Sequence, residues 1–469
     1  MAVMDQETAA DTPNANFDPE PLSPPPLLLW LIVGLFLLSV AGTAGGVLVF
    51  KNVLRPGQQQ RIITILPFMQ NFLPVRPGAG IALPTAIAAQ NNGITPEDLL
   101  AISIAVSTPT ASVHEVLAEP SATLPPPTVE PTSVPTTNLI EVAAVPEEAA
   151  KEFPPFARNY GFRHVQQGWN NCGPASITIA LSYYGWEENQ EFSASFLKPD
   201  REDKNVTPRE MVSFVNEQTG VRALTRMGGS LDLLKSLTAG GFPVLVSLGY
   251  MPEGYDWLGH YLTVVGYDDR QQAVYVYDSF LGTGDNGEGM AVAYSELDRD
   301  WQQFNRTFIV LYRPDEENRI REILGELADP TQAAEHALQV AQEEARANPQ
   351  NGFAWFNIGT ALVALGRDQE AATAYDQARQ LNLPWRMLWY QFGPYEAYFN
   401  VGRYDDVLAL VEANLNNGVE YVEETYYWQG RVFAARGQTD EAAAAFNQAL
   451  LHNSRYIAAE EALTMLEAD

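Results

Sequence analysis

Residues 166–186 read QQGWNNCGPASITIALSYYGW, a turn that gives way to a helix of small and apolar residues with a cysteine at its start. Pro174 suits the first turn of a helix, where its absent N–H is not missed, and Gly185 is a glycine stop. A helix N-terminus offers partial positive charge and free N–H groups, which favour the thiolate form that a cysteine nucleophile needs. Cys172 is the only cysteine of the chain. It has no partner for an internal disulfide, and its position makes it the candidate nucleophile. Gln166, six residues earlier, offers an amide to the oxyanion of a tetrahedral intermediate, although the loop can present the adjacent Gln167 instead. Such a donor lowers a barrier by roughly 3 kcal/mol.

Downstream, Thr207, Pro208 and Glu210 form the signature of a second helix start. The hydrophobic period then changes to two. Residues 243–248 (PVLVSL), 260–267 (HYLTVVGY) and 273–278 (AVYVYD) read as strands, the last two joined by the polar turn DDRQQ. His260 opens one strand of this hairpin directly after Gly259, and Asp278 closes the other. The pairing brings an imidazole base and a carboxylate that fixes its tautomer within reach of each other. Asp268 and Asp269 fall in the turn as solvated residues, Asp269 at the far end of the hairpin from Asp278, and His164 reads as a surface or packing residue. Residues 252–259 (PEGYDWLG) lead into His260 and are expected to line the substrate cleft. Helices first and an antiparallel sheet after define an α+β domain over 151–315.

With QQGWNNCGPAS, the runs GHYLTVVGYDD and VYVYDSF resemble the peptidase family of bacteriocin-processing proteases, of papain-like fold, and especially its stand-alone C39-like branch. The resemblance implies a cysteine peptidase with Cys172 as nucleophile, His260 as general base, Asp278 as orienting acid and Gln166 as oxyanion donor. It covers about residues 153–314. The sequence carries no G-x-x-x-x-G-K-[ST] phosphate loop, so leader processing coupled to export is not expected.

From about Arg321 the pattern is helical. Gly366, Gly402 and Gly437 end similar blocks at spacings of 36 and 35 residues, the period of a helix-turn-helix repeat. Trp355, Gly359, Gly366, Ala371, Tyr375 and Ala378 fall where the tetratricopeptide family places its packing residues, as do Tyr426, Gly430, Gly437, Ala442, Phe446 and Ala449. The reading is an all-α tetratricopeptide-type solenoid over 321–469 that binds a protein partner.

Towards the N-terminus, residues 1–26 read as a disordered acidic tail. Residues 27–50 run without a charge and predict one transmembrane helix, hence the lipid bilayer as a partner and a single-pass membrane location. Residues 51–150 read as a linker whose Pro/Thr/Ser-rich part, 108–137, suits a stalk outside the cytoplasm. Lys51, Arg55 and Arg61 argue for the opposite orientation; the stalk decides for an extracytoplasmic catalytic domain.

The 58 acids against 28 bases, a formal charge of −30, disfavour nucleic acid as a partner. His114, His164, His260, His336 and His452 lack metal-ligand spacing, so no metal or other cofactor is expected. The expected function is a membrane-anchored cysteine peptidase acting on peptides or proteins. Two alternatives use the same sequence: an acyl transferase of transglutaminase type, and a catalytically inactive membrane-tethered scaffold.

Overall fold

A computed structural model describes residues 42–43, 45–51, 62, 66–72, 82–87, 93–102, 153–251, 256–417 and 421–468. The chain divides into two compact units, 1–74 and 75–469. In the first, helical residues occur at 42–43 and 45–51 and a 3-10 turn at Pro67–Phe72.

The transmembrane helix expected over 27–50 is corrected. Among the described residues no helix is long and apolar enough to cross a membrane. The described helical residues of that stretch rise at most about 15 Å at 1.5 Å per residue, half of the ~30 Å hydrocarbon core; residues 27–41 and 44 lie outside the described residues. The bilayer partner, the single-pass membrane location and the membrane anchoring of the enzyme fall with it, as does the extracytoplasmic placement. The acidic tail at 1–26 and the stalk at 108–137 lie outside the described residues.

The second unit holds an α+β domain and an all-helical domain. The strands of the first are β1 (Phe156–Arg158), β2 (Arg222–Arg226), β3 (Val244–Tyr250), β4 (Leu258–Asp268), β5 (Ala273–Asp278), β6 (Met290–Ala293) and β7 (Phe308–Tyr312). They form one antiparallel sheet in the order β2-β7-β3-β4-β5-β6, with β1 also paired to β4. Helices α1 (Cys172–Ser182), α2 (Gln190–Leu197) and α3 (Pro208–Gln218) precede the central strands, with α4 (Leu231–Ala239) and α5 (Tyr294–Gln302) between strands.

Strand alternation splits the core in two. Leu245, Tyr261, Ile309 and Leu311 pack with Ile177, Leu181, Met211 and Phe214 of α1 and α3. Their neighbours Val244, Val246, Val264, Phe308 and Val310 pack with Leu234 and Leu237 of α4 and Leu297 and Trp301 of α5. Burial on both faces explains why β3 and β7 are almost uninterrupted apolar runs. The expected capping box starts α3, with Thr207 and Glu210 hydrogen-bonded reciprocally at 3.2 and 2.7 Å.

The helical domain continues with α6 (Glu317–Leu324), α7 (Pro330–Ala347) and the hairpins α8/α9 (Gly352–Ala364, Asp368–Arg379), α10/α11 (Gly393–Asn400, Tyr404–Asn416) and α12/α13 (Glu423–Ala435, Thr439–His452), followed by α14 (Ile457–Ala468). Gly366, Gly402 and Gly437 sit in these turns with φ of +69°, +78° and +73°, the left-handed region that favours glycine. A Cβ on Gly359 would lie 2.7 Å from the Tyr375 ring, and one on Gly430 2.6 Å from Phe446. The first and third hairpins therefore pack an aromatic ring of the second helix onto a bare backbone of the first.

Residues 82–87 and 93–102 lie on this helical domain. Leu83 N–H donates to Leu383 O at 2.8 Å, Arg379 Nε to Pro84 O at 2.6 Å, and Gln342 Nε2 to Leu99 O at 2.7 Å. Leu83 and Leu99 are buried in its core.

The two domains meet over a polar junction that includes buried acids. Asp203 of the α+β domain and Glu423 and Glu424 of α12 are almost wholly buried. Glu423 Oε1 accepts from Asn453 at 2.7 Å, while its Oε2 and that of Glu424 have no hydrogen-bond partner. Burial, then the charge of Glu210, pushes the Glu423 carboxyl up to about 7. Burial, with Glu423 beside each, also holds Asp203 and Glu424 well above the carboxylate range.

A carboxyl that ionises near 7 when folded and near 4.5 when unfolded binds more proton in the folded state between those values, so its contribution to stability falls as pH rises through that window. Glu423→Gln keeps the acceptor for Asn453 and removes the charge. It is expected to raise Tm by several degrees at pH 8 and hardly at all at pH 5. Equal shifts in thermal unfolding at the two pH values would contradict a buried charge at this position.

Candidate active site

Cys172 is set by the loop that ends at α1. Asn170 adopts φ +51°, a left-handed conformation that asparagine tolerates better than most residues. Gln190 braces this turn from α2: its Oε1 accepts from Gly168 N at 2.7 Å and Asn171 Nδ2 at 2.8 Å, and its Nε2 donates to Gln166 O at 2.7 Å. Lys198, nearly buried, donates its ammonium to the carbonyls of Asn170, Arg201 and Asp203, and burial pulls it down to about 8. A Cβ on Gly173 would lie 2.9 Å from Val206, so the residue after the cysteine must be small for this loop to close.

Cys172 opens α1, where first-turn N–H groups have no intrahelical partner. Its Sγ lies 2.9 Å from His260 Nδ1 and accepts from Tyr261 N–H at 3.2 Å. Across the ring, His260 Nε2 is 2.8 Å from Asp278 Oδ1. The β4–β5 register pairs Leu262 with Asp278, which leaves His260 on the diagonal, within side-chain reach. Asp278 Oδ1 also accepts from the backbone N–H of Phe280 at 2.6 Å and of Leu281 at 3.1 Å.

His260 is 8% exposed and Asp278 2%, so the electrostatics act with little solvent screening. Burial works to lower the His260 pKa, but the Cys172 sulfur and then the Asp278 carboxylate outweigh it and hold the imidazole well above its ordinary range. Burial likewise works to raise Asp278, and the His260 charge with its hydrogen bonds brings it below the ordinary carboxylate value. The arrangement suits a sulfur nucleophile beside an imidazolium that a fixed carboxylate orients.

The paired glutamines diverge. Gln166 is exposed, and its Nε2 donates to Phe280 O at 3.0 Å. Gln167 is half-buried; its N–H donates to Ser279 O at 2.8 Å and its Oε1 accepts from the Ser279 hydroxyl at 2.9 Å. That hydroxyl lies 3.5 Å from Ser176 Oγ, one turn of α1 beyond Cys172.

Tyr261 N–H, Gln190 and Ser279 were not singled out from the sequence, and none carries a motif signal. His164, read as a packing residue, sits with Nε2 2.9 Å from Asp278 O. Asp268 and Asp269, read as solvated turn residues, are both engaged: Asp268 is almost wholly buried and pairs with Arg270, and Asp269 pairs with Lys235. The loop expected to line the cleft is described only at its end. Trp257 is 3% exposed and stacks on Phe304 at 5.7 Å, beside Tyr390 of the helical domain; residues 252–255 lie outside the described residues. Among the described residues no group of His, Cys, Asp and Glu is placed to hold a metal ion.

Residues 151–309 match the Peptidase_C39 like family. The chain thus carries a C39-like cysteine-peptidase domain, fused to a further all-helical domain. No curated protein matches the chain. Among solved structures, a C39-like peptidase from Bacillus anthracis is similar at 16% identity with a TM-score of 0.29, over 34% of this chain and 98% of that one. A double glycine motif protease from an AMS/PCAT transporter, in complex with a leader peptide, is similar at 18% identity with a TM-score of 0.24, over 33% and 92%.

Asp278→Asn removes the charge that supports the imidazolium while keeping an acceptor at Oδ1. The NMR titration midpoint of His260 is expected to fall from its raised wild-type value, and alkylation of Cys172 at neutral pH to slow. An unmoved midpoint would mean that Asp278 orients the ring without stabilising its charge.

Proposed function

We propose that the enzyme hydrolyses peptide bonds in polypeptide substrates, with Cys172 as nucleophile, His260 as acid and base, and Asp278 as the group that orients the imidazole. The observation that carries this reading is the continuous Cys172–His260–Asp278 line at 2.9 and 2.8 Å. The Cys172 thiolate forms a bond to the substrate carbonyl carbon, and the carbonyl electrons move to oxygen. Collapse of this intermediate breaks the C–N bond as His260 gives its proton to the departing amine, leaving an acyl-enzyme. Water then attacks the thioester, His260 takes its proton, and the thiolate leaves with the acid product released.

The oxyanion is served by the N–H groups at the start of α1 and by a glutamine amide. Gln166, the amide expected from spacing, spends its Nε2 on Phe280 O. Gln167 has its oxygen, and not its NH2 group, engaged by Ser279, and on that ground the donor role is assigned to Gln167. The helical domain is assigned to the tetratricopeptide type, on the recurrent left-handed glycines and the ring-on-glycine packing of its hairpins. The peptidase belongs on this reading with the stand-alone C39-like branch related to the bacteriocin-processing proteases.

Labelling with a thiol-reactive reagent tests the pair, because Cys172 is the sole thiol. The full chain is expected to label at neutral pH at least about tenfold faster than a free cysteine, with Cys172→Ala unlabelled and His260→Ala slow. Labelling at the free-thiol rate, indifferent to His260, would overturn the peptidase reading. Against a cleavable peptide, Gln167→Ala is expected to lose about 10²–10³-fold in kcat and Gln166→Ala much less; the reverse order would return the donor role to Gln166.

A further inference from the structure

A cavity of about 1190 Å3 lies between the two domains. The α+β domain lines it with Thr207 and Glu210 at the start of α3 and with Phe304, and the helical domain with Tyr390, Phe392 and Trp428. Cys172 and His260 are not among its lining residues, yet both of its walls adjoin them. On one side a Cβ on Gly259, the residue before His260, would lie 2.9 Å from the Tyr390 ring and 2.9 Å from Phe304. On the other, Val206 packs against Gly173, the residue after Cys172, and its carbonyl accepts from the Tyr261 hydroxyl at 2.9 Å.

Tyr390 is the element that joins the cavity to the chemistry. Its ring sits 5.8 Å from Trp257 and 6.1 Å from Phe304 and lies directly over the bare Gly259 backbone. The segment that carries it is clamped to the loop before β4 by the Arg386–Asp256 ion pair at 3.0 Å and to the end of α5 by Gln391 Nε2 donating to Gln303 O at 3.1 Å. Burial and then the charge of the Cys172 sulfur push the Tyr390 hydroxyl up.

We propose that this cavity is part of the substrate cleft, and that Tyr390 and Phe392 of the helical domain select a large apolar residue of a polypeptide substrate within about three residues of the scissile bond. The inference rests on the peptidase reading and deepens it. An extended chain advances about 3.5 Å per residue, so two or three residues carry a substrate from the sulfur past Gly259 to the ring of Tyr390. The volume exceeds the roughly 300–1,000 Å3 of small-molecule sites and suits a stretch of polypeptide. The aromatic walls match an apolar side chain; Glu210 is turned back to the Thr207 backbone at 2.7 Å, while Arg209, Glu217 and Glu396 place charge elsewhere along the lining.

The test is a cleavage-site profile. The full chain is incubated with a peptide library of mixed sequence, and the products are read by mass spectrometry for wild type, Tyr390→Ala, Tyr390→Phe and Phe392→Ala. Wild type is expected to favour a large apolar residue at one position within three of the cut. In Tyr390→Ala the ratio of large apolar to small residues at that position falls about tenfold, Tyr390→Phe restores it, and Phe392→Ala, on the same wall, gives the reading if Tyr390→Ala does not fold. Profiles identical in wild type and the alanine variants, or a wild type with no apolar preference near the cut, would overturn the proposal while leaving the peptidase reading intact. A wild-type chain that cleaves nothing would overturn both.

Discussion

The antiparallel pairing of β4 with β5 is the constraint on which the site depends. Its register sets Asp278 opposite Leu262, two residues along from His260 on the same face, and the same strand offers Tyr261 N–H to the sulfur of Cys172. A slip by one residue would turn every side chain of β4 to the other face and dismantle both contacts together. The two apolar cores, one on each face of the sheet, hold that register against slippage. Packing energy is thereby converted into placement: the burial of Leu262 and Val264 on one face and Tyr261 on the other fixes where an imidazole and a carboxylate meet.

Around that line the smallest residues matter as much as the reactive ones. Gly173 admits Val206 and Gly259 admits Tyr390 and Phe304, so the loop after α2 and the helical domain each approach the reacting residues from opposite sides. A side chain at either position would wedge its neighbour away from the catalytic pair. The helical domain is on this account a structural neighbour of the active site, joined to it by the Asp256–Arg386 ion pair and an aromatic cluster with little exposed surface.

Much of this was legible in the sequence because it is local. The cap and glycine signals around α1 and α3, the period-two runs of β3 to β5 and the polar hairpin turn each depend on a few adjacent residues. The recurrent glycines of the helical domain depend on a repeat. Cys172, His260 and Asp278 could be named because each stands at or near the end of such an element. What escaped has no periodic signature. Nothing adjacent to Gln190, Ser279 or Tyr390 announces that they gather around Cys172 and His260, and nothing near Asp203, Glu423 or Glu424 sets these buried acids apart from the many acids of the chain. Trp257 looked like a cleft residue because it precedes His260, but its indole is claimed by Phe304 and Gln303. The choice between Gln166 and Gln167 turns on which of two neighbours faces inwards, which spacing alone does not decide. The uncharged run at 27–50 satisfied a length rule for membrane helices, a rule that tests composition and not structure.

Residues 82–87 and 93–102 make the helical domain a body of separated stretches, with the peptidase domain inserted between them and the rest. The hydrogen bonds that close it join residues 243 positions apart at Leu99 and Gln342 and 295 apart at Pro84 and Arg379. Contacts of such separation form late, because loop closure must precede them. On the ribosome the order is set by synthesis: Cys172, His260 and Asp278 are all in the growing chain before Tyr390 has been made, and the early segment waits for helices still to come. The enzyme thus acquires its reacting groups first and the aromatic wall beside them last.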